Sequence, residues 1–295
     1  MQNIVFQLVS ANRRLQLRRQ RQQQQEQNGN PQQQNDEDED ELPFHHISQY
    51  APFYEIDPHW EVASDDLVSK IKQAHAALGR RIFNTHLRWD MLPQGNDASV
   101  KYIYVVRDGR DVLTSFYHHM TNQHVDDGGF QGDFQAFFQQ FLEGSIAYGK
   151  WTHHLASWMP RIVNDDSPDK NPRILLVRYE DLQANLHAQV MKIATFLQLD
   201  DIAESLESAA EENSDDSCMD QVLERMTFSW MRQHQELFHP ISVRWKPGYH
   251  FIRKGSVGDH DTIFDEQHKQ IFMESIASDF GGSVPCWLDR FCLHG

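Results

Sequence analysis

Cysteine is scarce in this sequence. Its three residues, Cys218, Cys286 and Cys292, are too few and too oddly numbered for a disulfide scaffold. That points to a reducing, cytoplasmic compartment. Long apolar runs are missing too, since none reaches the roughly 18–20 residues of a membrane span. Residues 1–10 lack the basic start and small-residue cleavage site of a signal peptide. Basic residues are outnumbered, with 27 Lys and Arg against 43 Asp and Glu and a net charge of -16. A general nucleic-acid binder, which needs a basic face, is thereby excluded. No HExxH or CxxC spacing occurs. The adjacent pairs His45-His46, His118-His119 and His153-His154 rarely converge on one ion in such an arrangement, so no metal is expected. What remains is a chain of 295 residues, 39% hydrophobic and 24% charged. Those proportions suit a globular protein with a substantial core. The ligand left by these exclusions is small, and an anionic one requires cations gathered locally.

The organisation is alternating. Met1, Ile4, Val5 and Leu8 fall on one face of an opening helix. Residues 17–42 are Gln-rich and then acidic, a low-complexity insert expected to be disordered. Ser64 is placed to cap a helix carrying Leu67, Val68, Ile71 and Leu78. Residues 81–85, 100–106 and 173–178 read as strands, the last two buried in type. Helices are expected over 111–120, from Phe134 continuously towards Trp158, and around Val190, Ile193, Ala194 and Leu197. The acidic stretch 200–220 reads as a solvated helix and loop. Strands alternating with helices predict an α/β fold, a parallel sheet covered on both faces.

Two segments carry chemistry. VVRDGRD at 105–111 ends a buried strand at Arg107, turns at Gly109 and opens a helix bearing Ser115. In a parallel sheet, ligands bind outside the carboxyl ends of strands, where helix N-termini point. A guanidinium there and a hydroxyl on the first helical turns can grip one phosphate together. A surface ion pair of Arg107 with Asp108 or Asp111 accounts for the segment equally well. The second segment, FIRKGSVGD at 251–259, sets Arg253 and Lys254 beside Gly255, where backbone N–H groups can approach an anion.

Together these segments resemble the family of sulfotransferases that use 3′-phosphoadenosine 5′-phosphosulfate (PAPS), in its cytosolic branch. Arg107, Arg110, Asp111, Ser115 and His118 match the family's 3′-phosphate motif, with Gly109 at the usual Pro position. Arg253 through Asp259 match its Arg-Lys-Gly-x-x-Gly-Asp-Trp motif, with His260 in place of Trp. Tyr179-Glu180-Asp181-Leu182, Gly149-Lys150-Trp151 and Thr227-Phe228 match in order, and Asn84-Thr85-His86-Leu87 resembles Lys-Thr-His-Leu. The resemblance implies a single sulfotransferase domain over 1–295, interrupted by the insert at 17–42, with a P-loop-NTPase-like sheet flanked by helices. It further implies PAPS as co-substrate and a small acceptor such as a phenol, alcohol, steroid or amine. On that basis Arg107, Ser115, Arg253, Lys254 and Gly255 bind the 3′-phosphate, Tyr179 and Phe228 contact the adenine, and His86 is the catalytic base. Neither nucleic acid nor membrane is an expected partner. Acceptor contacts are expected from loops around 44–55, 116–130 and 238–250.

One departure stands out. The family's Tyr-Pro-Lys-Ser-Gly-Thr-Thr-Trp loop for the 5′-phosphosulfate has no counterpart here, nor does GxxxxGK[ST]. The opening Met1-Gln2 resembles the residues just after that loop in the family, so the first strand is expected to be missing. Asn84 also holds the place of the family's second Lys, offering a hydrogen bond but no charge. The expectation is weak or no activity for these residues. The alternative is a non-catalytic relative that binds a 3′-phosphoadenosine nucleotide or a protein. Asp261, Asp265, Glu266 and Gln270 replace key residues of the family's dimer motif, so that dimer is not expected.

Overall fold

The structure is a computed structural model that describes residues 1–28, 42, 44–55, 65–93, 99–163, 171–209 and 217–293. In chain order its elements are α1 (Gln2–Asn28), α2 (Asp65–Leu78), β1 (Tyr102–Val106), α3 (Gly109–Asn122), α4 (Phe134–Glu143), α5 (Trp151–Trp158) and β2 (Ile174–Arg178). They continue with α6 (Tyr179–Ala184), α7 (Leu186–Leu197), α8 (Asp200–Ala209), α9 (Ser217–Met226), α10 (Phe228–Gln233), α11 (Glu266–Asp279) and α12 (Cys286–Cys292). The chain divides into two units, Met1–Thr85 with Leu186–Pro240, and His86–Asn185 with Ile241–Gly295.

The first unit is helical. The opening helix was expected to bury one stripe, but α1 buries Ile4, Phe6, Leu8, Val9 and Ala11 together with Asn3, Gln7, Ser10 and Asn12. It is packed by α2, α7, α8 and α9, so most of its first three turns is buried, with Gln2 and Val5 partly exposed. The buried amides are accommodated because they find partners. Asn3 Nδ2 donates to the Arg225 carbonyl (2.6 Å), and Asn12 Oδ1 accepts the Ile202 amide in the first turn of α8 (3.1 Å). The expected insert at 17–42 is corrected over its first part, since α1 continues through Asn28. Gln and Arg are strong helix formers, and Arg19 pairs with Asp201 and Glu204. The remainder at 29–41, like Ser64, lies outside the described residues. The stretch 200–220 is not merely solvated either, because α8 buries Ile202 and Leu206 completely. Residues 81–85 form no strand. Asn84 instead makes a single parallel bridge with Phe53, through Tyr54 N–H to the Asn84 carbonyl (2.8 Å) and Asn84 N–H to Pro52 (3.0 Å).

The second unit holds the sheet. β1 and β2 pair in parallel, from Tyr102 opposite Ile174 to Val106 opposite Arg178. Tyr104 and Val106 are buried on one face of β1, whereas Val105 on the other is 38% exposed, so the expected cover on both faces is incomplete. The core centres on Leu113, Phe137, Phe138, Met159, Phe272 and Leu288. The continuous helix expected from Phe134 to Trp158 is broken in two. Gly144 ends α4 in the left-handed region (φ 77°), and its N–H closes onto the Gln140 and Phe141 carbonyls. A Cβ at Gly144 would lie 2.8 Å from Lys150, so the position excludes larger residues on space as well as on backbone geometry.

Candidate functional site

Parallel register creates the centre of the site. Val106 and Arg178 are partners in the ladder, so the next residues along each strand, Arg107 and Tyr179, emerge together at the carboxyl ends. The Arg107 guanidinium lies 4.5 Å over the Tyr179 ring. Asp108 then caps α3 by accepting the Arg110 amide (2.9 Å). Gly109 is required where the family places Pro, because a Cβ there would run into the Trp151 indole.

Asp111, on the first turn of α3, brings the second segment to the first. Its buried carboxylate accepts the amides of Gly258 and His260 (both 2.9 Å) and pairs with the His260 ring at Nδ1 (2.9 Å). Arg107 Nη2 lies 3.3 Å from the same carboxylate and donates to the Ser256 carbonyl (2.9 Å). Burial pushes the Asp111 carboxyl up. The His260 bonds, the Arg107 charge and the Gly258 amide outweigh it and hold the pKa at about 2. Asp259 accepts Arg253 and Lys254 in turn, the latter at 2.7 Å. Gly255 sits between these residues in the left-handed region (φ 66°).

The cluster therefore sets Arg107, Arg253 and Lys254 against Asp111 and Asp259, leaving one positive charge over. Arg107 Nε is buried with no hydrogen-bond partner, an uncompensated donor in a cationic environment. The Lys254 side chain is 49% exposed, and Ser115 is exposed one turn beyond Asp111 on α3. His118 registers the field, as burial and then the Arg253 charge lower its pKa. Such a group of donors suits a small anion with several acceptor oxygens.

His86 lies in the same unit. It is exposed, and its ring stacks on Tyr148 (4.7 Å, 25°). Around it lie Phe116, 6.0 Å from Tyr148, and His119, which meets Trp245 at 5.0 Å and Phe251 at 5.9 Å. Burial, reinforced by the charge of His86, lowers both His119 and His154 to about 4. Both rings are therefore neutral near pH 7, and the rings of Tyr148, Phe116 and His119 form an aromatic flank beside His86. Stability should consequently decline as pH falls from about 6.5 towards 4. Over that range the unfolded imidazoles bind protons that the folded ones exclude. Urea midpoints measured at pH 7 and pH 5 should differ accordingly, and His119→Leu should flatten the dependence. Among the described residues, no group of three or more His, Cys, Asp or Glu could hold a metal ion.

A sulfotransferase domain model matches residues 1–284. The chain belongs to the sulfotransferase family. Rat Sulfotransferase 1E1 is 28% identical over 224 residues, covering 74% of this chain and 68% of the relative. Human Sulfotransferase 1E1 is 28% identical over 232 residues, covering 74% and 71%. Among solved structures, mouse sulfotransferase SULT7A1 complexed with PAP superposes with a TM-score of 0.54 at 25% identity, covering 77% of this chain and 76% of that one. Retinol dehydratase, in complex with androsterone and the inactive cofactor PAP, gives 0.53 at 20% identity, covering 81% and 71%, a likeness of fold. The α/β, P-loop-like architecture expected from the sequence is thus the sulfotransferase fold.

Of the site residues named from sequence, this sulfotransferase brings Arg107, Tyr179, Arg253 and Lys254 into one cluster, with Gly255 in its loop and Ser115 on α3. Phe228 opens α10 in the first unit, half-buried behind the Thr227 cap. Of the two readings of Arg107, the ion pair with Asp111 is present, and its Nε has no hydrogen-bond partner among the described residues. Sequence reasoning missed what Asp111 does. Its only signal was its place in the RDGRD segment, and a buried partner 147 residues away cannot be seen from there. The participation of His119, His154 and Tyr104 around His86 was missed as well, with no signal beyond an abundance of histidine.

Proposed function

We propose that this sulfotransferase moves the sulfuryl group of PAPS to the hydroxyl or amine of a small acceptor. Arg107, Ser115, Arg253, Lys254 and Gly255 hold the 3′-phosphate, Tyr179 contacts the adenine, and His86 takes the acceptor's proton. The observation that carries the reading is the gathering of Arg107, Arg253 and Lys254 around Asp111 and Asp259 at the carboxyl end of β1. Phosphate oxygens would meet the partly exposed Arg253 and Lys254 side chains, and the surplus positive charge would offset the anion. PAPS supplies the activated sulfuryl group, and the residues of this chain orient it and handle the proton. An imidazole nitrogen at His86 can accept the proton as the nucleophile attacks. The aromatic rings beside it favour an apolar acceptor, a phenol, alcohol or steroid.

Within these 295 residues no Lys-Ser-Gly-Thr-Thr loop is available for the 5′-phosphosulfate, and Asn84 stands in place of a lysine. Anchoring of the 3′-phosphate should therefore persist while transfer is slow. The same two features favour a second reading, a non-catalytic relative that binds the nucleotide without transfer. Calorimetry with PAP and with adenosine 5′-monophosphate tests the shared part. PAP should bind at least about 10-fold more tightly, the margin expected for a charge-assisted phosphate contact. Equal affinities would remove the 3′-phosphate site. Labelled transfer from PAPS to a panel of phenols and steroids then separates the two readings.

A further inference from the structure

Tyr148 stands in a backbone conformation that its residue type avoids. Its φ is 69°, and Gln198 is the only other non-glycine among the described residues with a positive value. The turn at Tyr148 closes from the Gly149 N–H to the Ile146 carbonyl (3.2 Å). A positive φ at the third residue of such a turn belongs to glycine, because a Cβ there crowds the neighbouring backbone. A bulky side chain in that place is strained. Burial does not offset the strain, since Tyr148 is 46% exposed.

The contacts of the ring point to what the strain maintains. It stacks on the His86 imidazole, with centroids 4.7 Å apart and planes at 25°, and lies 6.0 Å from Phe116, the residue after Ser115 on α3. The main chain that follows His86 is fixed from α5. Ser157 Oγ accepts the Trp89 amide (3.1 Å), and the Trp158 indole N–H donates to the Leu87 carbonyl (3.2 Å). Those bonds hold the backbone but leave the exposed imidazole its side-chain torsions. A ring lying face-on selects among them. The same helix carries that ring, because α5 opens at Trp151, three residues beyond Tyr148.

We propose that Tyr148 is a positioning residue, held left-handed by its turn so that its ring stacks on His86 and selects the rotamer that reaches the acceptor. The inference rests on His86 being the proton acceptor of the reading above. A base kept in one rotamer retains its reach between turnovers, and a displacement near 1 Å can cost about 100-fold in rate. Glycine at position 148 would relax the backbone and forfeit the stack. Stability and rate should therefore part in that variant.

Three measurements on the full chain test this. In NMR with labelled histidine, the His86 ring protons, assigned by their loss in His86→Asn, should be shifted upfield by the Tyr148 ring. The shift should remain in Tyr148→Phe and vanish in Tyr148→Gly. The urea midpoint of Tyr148→Gly should be no lower than that of the unsubstituted chain. In single-turnover transfer from PAPS to saturating 4-nitrophenol, Tyr148→Gly should lose roughly 10- to 100-fold in rate with PAP affinity kept within about twofold. Tyr148→Phe, which keeps the ring without its hydroxyl, should stay within about threefold of the unsubstituted rate. Unshifted His86 protons, a lower urea midpoint in Tyr148→Gly, an unchanged rate in that variant or an inactive Tyr148→Phe would overturn the proposal. A loss that saturating acceptor restores would overturn it too, by making Tyr148 an acceptor contact. His86→Asn separates it from the reading beneath. Full activity of that variant removes the base itself, whereas an inactive His86→Asn with an active Tyr148→Gly removes only the positioning role. If transfer by the unsubstituted chain is below detection, the ring-proton shifts and the urea midpoints decide.

Discussion

Replacing His86 with asparagine should slow sulfuryl transfer by roughly 100- to 10,000-fold, the span of a lost general base. Asparagine keeps a polar group of similar reach but cannot take a proton from the acceptor. PAP binding should change by less than about twofold, since the hydrogen bonds of Arg107, Arg253 and Lys254 run to Asp111, Ser256 and Asp259 and not to His86. Single-turnover transfer of labelled sulfate, paired with PAP calorimetry on the same preparation, reads both quantities. The rate loss should persist at saturating acceptor, because the group acts on the transition state and not on binding. A variant that transfers at the unsubstituted rate would sink the assignment. One that loses PAP affinity in step with rate would show His86 to be structural.

Asp111→Ala should be the most damaging change to the cluster of Arg107, Arg253 and Lys254. The substitution leaves the Gly258 and His260 amides and the His260 ring without their acceptor in a buried place, while Arg107 Nη2 keeps only the Ser256 carbonyl. Breaking a buried, hydrogen-bonded charge in this way costs about 3–5 kcal/mol. Urea unfolding should show that loss, and PAP affinity should fall with it, because the Arg253–Asp259 loop loses its anchor to α3. Asp111→Asn should rescue little, as an amide offers one accepting oxygen where two are in use. The pH sign is that of a depressed carboxylate. Its contribution, about 2 kcal/mol, is complete above the unfolded pKa near 3.9 and is lost as pH falls towards 2. The unsubstituted protein should therefore lose stability over that acid range more steeply than Asp111→Ala. Equal slopes would contradict the clamp.

Much of the site was legible because its parts are local. A β-branched run ending in Arg107, a turn at Gly109 into a helix from Asp111 and a glycine beside Arg253-Lys254 are short-range patterns; the strand closes at Val106, the helix opens two residues early at Gly109, and Gly255 is left-handed. The errors share a physical origin. Periodicity suggested one buried stripe on α1, yet α2, α7, α8 and α9 close round it and bury asparagine and glutamine as well. Apolar spacing carried a helix through Gly144, where left-handed backbone and the nearness of Lys150 end it. Residues 81–85 had the composition of a strand, but strand formation needs a partner ladder, and only Asn84 finds one residue to pair with.

By itself, the sequence determined the family, the candidate cations and the candidate base, since each depends on residue identity at a fixed spacing along the chain. Tertiary structure alone decided how they work together. Only the β1–β2 register sets Arg107 over Tyr179. Only folding brings Asp111 to Gly258 and His260, or Tyr104 to His154. The reason is that a hydrogen bond is strong when buried and depends on direction, so its partners are chosen by the packing of distant elements. A one-dimensional pattern can name such donors and acceptors, but it takes the fold to pair them.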